Sequence, residues 1–255
     1  MIITAAMLIP AVLAIVPAVF LLIKVYRADK LDKEPKGLLV SLVFLGILST
    51  FAALITELIG GKILLAFFSE ESIIYMILEN FIVVAVSEEG FKYMLLKKRT
   101  WKSQYFNCSF DGVVYAVFVS LGFALCENIC YVYEFGLTTA IVRAVTAVPG
   151  HACFGVFMGI WYSAAKRWSY RGNESKSAFC RFKAVLIPVL LHGAYDFLAT
   201  LGGYISIIIW AVFVIAMFIV AFRRVKANSR NDNYIDYNHF ENEIDNFTGQ
   251  FIQYQ

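Results

Sequence analysis

Four stretches of this sequence put ionisable side chains inside apolar segments. The first, Ser87-Glu88-Glu89-Gly90-Phe91-Lys92, sets two adjacent carboxylates and an ammonium within a run from about Ile73 to Leu96. On a helix, Lys92 is four residues from Glu88 and three from Glu89, so one ammonium faces two carboxylates and cannot offset both. Two carboxylates in low-dielectric surroundings rarely ionise together without a compensating cation. Either one keeps its proton, or a metal or a water network serves it, and a carboxylate poised in this way suits a general base acting on water. The bland reading of the motif is a Glu/Lys pair joining helices while the second Glu faces a crevice.

The other three stretches supply an acid, an amide and two imidazoles. Gly122-Phe123-Ala124-Leu125-Cys126-Glu127-Asn128 puts a carboxylate and an amide deep in a later apolar run, with Phe123, Glu127 and Tyr131 on one helix face. Pro149-Gly150-His151 is followed by Gly155 and Gly159 on the His151 face, the pattern of a close packing seam. His192 and Asp196 are four apart, a spacing that lets a carboxylate orient an imidazole or lets both face one ligand. Taken singly, His151 reads as a hydrogen-bonded core residue, Asp111 as a helix N-cap and Arg143 as a snorkelling residue near the outer interface. A central charge costs roughly 2.5 to 3.5 kcal/mol in a membrane helix, which argues that the four stretches share one protein-lined site. The candidate catalytic residues are therefore Glu88, Glu89, Lys92, Asn128 and Asp196. Glu127, His151 and His192 form an N/O set acceptable to zinc with one position open for water, and Asp196 would orient His192 from behind. No HExxH signature and no CxxC spacing is present.

Such residues need helices to hold them in a bilayer. Of the 255 residues, 60% are apolar and 16% charged, against roughly 45 to 50% and 25% in soluble domains, so the chain reads as an all-α, polytopic transmembrane bundle. About seven spans can be drawn, near 2–24, 38–59, 73–96, 110–133, 138–163, 183–201 and 203–222. Basic residues follow the first, third, fifth and seventh, while the loops after the second, fourth and sixth hold only Lys62. That alternation predicts an N-out, C-in multi-pass protein of the cell membrane, with the first span retained as an anchor. Residues 1–225 form the membrane domain on this reading, and the Asn/Asp/Glu-rich stretch 226–255 a flexible cytoplasmic tail. The basic runs lie between spans and form no nucleic-acid patch. The five cysteines, mostly inside spans, indicate no disulfide framework.

Glu88-Glu89-x-x-Lys92, Asp111-Gly112, Phe123-x-x-x-Glu127-Asn128-x-x-Tyr131, His151-Ala152 with Gly155, and His192-x-x-x-Asp196 resemble, in this order, the PrsW family of intramembrane proteases. More distantly they resemble the CAAX prenyl protease superfamily, where a His stands at the position of Glu127 and a basic residue follows the paired Glu. The resemblance implies a multi-span peptidase whose paired Glu residues activate water, and a single-span, anti-sigma-factor-like membrane substrate. It leaves open whether a metal assists. Two other readings use the same residues: an ion- or proton-coupled transporter, against which the halves of the chain show no repeat, and a CAAX-type processing peptidase.

Overall fold

The computed structural model describes residues 5–235. These are helical almost throughout: α1 (Ala5–Ala28), α2 (Lys36–Leu65), α3 (Ile73–Ile77), a π-helical stretch (Leu78–Ala85), α4 (Val86–Thr100), α5 (Asp111–Phe135), α6 (Leu137–Val145), α7 (Ala147–Tyr170), α8 (Glu174–Thr200) and α9 (Gly203–Arg230). Among the described residues, α2, α5, the α6–α7 pair, α8 and α9 are long and apolar enough to cross a membrane. The 73–100 rod is also long enough, but it carries the Glu88–Lys92 charges and the basic Lys97–Arg99 end.

α5 is the central helix. Its residues from Asp111 to Ala124 are buried, because α2 packs on one side of it and α7 on the other. Small residues set both crossings. A Cβ on Gly122 would strike the Val43 carbonyl of α2, and one on Gly159 of α7 would strike the backbone at Gly112 and Val113. Close backbone approach of this kind lets membrane helices pack by van der Waals contact, since lipid supplies no hydrophobic drive between them. The seam expected along Gly155 and Gly159 is thus the α5–α7 interface.

Two sequence expectations change. The span drawn over 138–163 is broken: Gly136, with φ +83°, ends α5, and α6 stops at Thr146 before α7 begins. Pro149 sits in the first turn of α7, where its missing N–H is no loss. Asp111 is not an N-cap in front of its helix. It is the first residue of α5, and its Oδ2 accepts the backbone N–H groups of Asn107 (3.0 Å) and Cys108 (2.6 Å), folding the preceding loop back on the helix.

The loop ends that carry basic residues gather at one end of the bundle. Asn107 donates to Asp32, Phe110 N–H donates to Asp232, and Lys166 Nζ donates to the Trp101 carbonyl. The start of the C-terminal tail is also fixed there: α9 runs on to Arg230, and Tyr234 pairs with Cys108 in a single antiparallel bridge. The remainder of the tail, 236–255, lies outside the described residues. All five cysteines are free.

Candidate active site

α4 begins one residue after the π-helical stretch, whose wider turns shift the helix face just ahead of Glu88. Glu88, Glu89 and Lys92 then point inward, and Glu89 and Lys92 are completely buried. The Lys92 ammonium donates to Glu88 Oε2 at 3.0 Å and to Glu89 Oε1 at 2.8 Å, and lies 3.1 Å from His151 Nδ1 on α7. Below it lies the Phe123 ring of α5, 3.8 Å away, close enough for a desolvated cation–π contact.

α8 brings the second imidazole. Gly193 faces the Phe81 ring so closely that any Cβ would collide with it, and this approach carries His192 Nδ1 to 3.0 Å from Glu89 Oε1. The other ring nitrogen, Nε2, lies 3.1 Å from Asp196 Oδ2 one turn on. The two rings stand edge to face, 5.3 Å between centroids.

Glu127 holds a different position from the one its sequence suggests. Its Oε2 meets His151 Nε2 at 2.8 Å and the Arg143 guanidinium at 2.7 Å. Arg143 also donates to Asn128 Oδ1 at 3.2 Å and lies 3.8 Å from the Tyr131 ring. It is therefore no snorkelling residue: the break before α7 turns α6 back over α5 and aims the guanidinium inward. Asn128 is fully buried and touches this outer cluster.

The atoms that converge as potential metal ligands among the described residues come from Glu88, Glu89, His151 and His192, all within 4.8 Å of one another. Glu127 and Asp196 stand behind, each on the outer nitrogen of one imidazole, the arrangement by which carboxylates orient metal-binding histidines. Glu89 Oε2 is buried with no hydrogen-bond donor, so the group retains an unsatisfied anionic oxygen. Two carboxylates and two imidazoles, one oxygen orphaned, are the donor types a divalent metal ion takes, and the Lys92 ammonium contacts three of these four residues.

Beside this group lies a cavity of about 610 Å³, lined by Glu57, Glu88, Glu127, His151, His192 and Asp196 together with aromatic and aliphatic side chains. That volume suits a bound ligand or a peptide segment. Arg143 is the one lysine or arginine among its described lining residues. Sequence reasoning missed Glu57 of α2, which lines the same cavity as Glu88 and Glu127. The available signal was a lone acid within the span drawn over 38–59.

The fold is a helical bundle with helices long and apolar enough to cross a membrane, and within it lies a buried group of carboxylates and imidazoles. Residues 34–222 match the family described as PrsW family intramembrane metalloprotease. The protease PrsW of Oceanobacillus iheyensis is 34% identical over 219 residues, covering 85% of this chain and 94% of that protein. The protease PrsW of Clostridioides difficile is 32% identical over 209 residues (80% and 85%), and that of Bacillus subtilis 31% over 193 residues (73% and 80%). No solved structure matches. The chain belongs to the PrsW family of intramembrane metalloproteases and is a protease. Membership favours neither the transporter nor the CAAX-type reading.

Proposed function

We propose that the chain is an endopeptidase of the cell membrane that cleaves a single-span, anti-sigma-factor-like protein, with Glu88 as the general base towards water. The observation that carries this is the division of labour between the paired acids. Glu88 lines the cavity, whereas Glu89 is fully buried behind it and held by Lys92 and His192. Only a base that touches the cavity can take a proton from a water poised against a bound peptide. Water then adds to the scissile carbonyl carbon, its proton passing to Glu88, and the C–N bond breaks as that proton goes to the departing amine. Lys92 limits the build-up of negative charge on the paired acids, and Arg143 and Glu127 keep the His151 ring turned inward. His151, His192 and Glu89 would hold a zinc ion, which when bound supplies Lewis-acid polarisation of the scissile carbonyl.

The membrane arrangement in this reading is seven spans, N-out and C-in, with α1 and the 73–100 rod as the two spans beyond those recognisable by composition. It is supported by the clustering of the loops after α1, α4 and α9 at one end of the bundle.

The test uses the purified full chain and a membrane-anchored single-span reporter. Glu88→Gln is expected to lower cleavage by about 10² to 10⁴, the range for losing a positioned base. Unchanged cleavage would remove Glu88 as the base. Metal analysis of the same preparation, with His151→Ala and His192→Ala, tests the ion: a stoichiometric metal surviving both changes would put it elsewhere.

A further inference from the structure

A second concavity opens on the opposite side of α7 from His151, sharing no lining residue with the candidate active site. It is a groove of about 580 Å³ between α1, α7 and α9, floored by Val117 of α5. The wall from α7 is Pro149, Ala152, Cys153 and Val156, which on a helix project away from His151.

Its chemistry changes along its length. On α9 the lining runs Phe218, Ala221, Phe222 and Val225, then Lys226, Ser229 and Arg230; on α1 it runs Leu21, Lys24, Val25 and Ala28, with Lys30 in the loop just beyond. α1 and α9 run in the same direction, pinned at their ends by Ser229 Oγ donating to the Ala28 carbonyl, so their basic residues collect at one mouth. Among the described residues, four cations line the groove and no carboxylate does. None of the four makes an ion pair among the described residues, and Lys24 instead lies over the Phe222 ring at 4.7 Å.

From Phe218 to Arg230 the groove follows about 18 Å of helix, close to the roughly 15 Å of one leaflet's hydrocarbon. The basic mouth lies at the end where the basic loops gather, which the positive-inside rule assigns to the cytoplasm and hence to the leaflet rich in anionic lipid. The geometry points to a binding site for one anionic phospholipid, its acyl chain in the apolar groove and its phosphate among Lys24, Lys30, Lys226 and Arg230. A zwitterionic lipid fills the groove but leaves the mouth's charge uncompensated. The lipid would also pack directly on the residues flanking His151 in α7. This site does not depend on the proteolytic reading.

Native mass spectrometry of the full chain, released from nanodiscs of equal phosphatidylglycerol and phosphatidylcholine, tests it. Wild type is expected to retain phosphatidylglycerol selectively. The triple variant Lys24→Gln, Lys226→Gln, Arg230→Gln changes exposed side chains only and is expected to weaken that retention by about fivefold per charge, about a hundredfold in all. Ala221→Trp, which fills the groove from α9, is expected to displace the lipid without changing the charge. Equal retention of the two lipids by wild type, or undiminished selectivity in the triple variant, would overturn the proposal. So would a photo-crosslinker at Phe218 that captures the chain's own residues 236–255 and no lipid.

Discussion

Lys92 Nζ lies 3.1 Å from His151 Nδ1, joining α4 to α7 across 59 residues of sequence while the same ammonium bonds both Glu88 and Glu89. One buried cation is thus shared by three side chains of the centre. Removing it strands two carboxylates in a low-dielectric interior. Lys92→Met is expected to lower stability by about 3 to 5 kcal/mol, as breaking a buried pair does. Thermal unfolding in detergent checks this, and a melting point unchanged from wild type would contradict it.

Arg143 and Glu127 make the second ion pair, with each side chain 16% exposed. Partial exposure reduces its worth, so Arg143→Gln is expected to cost about 1 to 3 kcal/mol. The double change with Glu127→Gln removes the stranded charge along with its partner. It is expected to recover part of the loss, which a double-mutant cycle measures directly.

Gly193 sets the distance between α8 and the 73–100 rod. A Val there must push Phe81 aside or carry His192 away from Glu89. Because a displacement of about 1 Å can cost about 10² in rate, Gly193→Val is expected to lower cleavage by that order while the protein remains folded. Phe81→Ala in the same chain opens room for the added methyls, and partial return of cleavage is the result to look for.

The loop end of the bundle predicts a pH dependence unrelated to catalysis. Burial pushes the Glu34 carboxyl up to about 8 and that of Asp29 up to about 6, and raises Asp232 as well. Both carboxylate oxygens of Asp29 and Oε2 of Glu34 are buried without a donor in hydrogen-bonding geometry. Raised carboxyl values mean that the folded state holds protons that the unfolded chain has released. Stability is therefore expected to fall as pH rises from the ordinary carboxylate range through about 8, and to be unaffected by these groups at lower pH. Glu34→Gln is expected to flatten the profile and to gain on the order of 1 to 3 kcal/mol above pH 8, discounted for screening near exposed Asp32. Melting curves from pH 5 to 9 for both proteins decide the point.

The residues of the centre were legible in the chain because charge inside an apolar run is costly and must be used. Glu88, Glu89, Lys92, His151 and His192 announce themselves that way, and their order carries the family. The close α5–α7 seam was legible too, since small residues four apart have few other uses in a membrane helix. Arg143 was not: its inward aim depends on a helix break at Thr146 that no local signal near Pro149 specifies. Nor was the exchange of roles in which Glu127 backs His151 while Glu89 joins the converging group.

Composition, the periodic basic loops and the buried charges, all local properties of the chain, determined that this is a helical membrane protein with an acid–imidazole centre. Which nitrogen faces which carboxylate, which acid meets the cavity and where the groove beside α1 opens were decided only by packing. Those relations arise between side chains far apart in sequence, brought together by crossings that a few glycines and one π-helical stretch control.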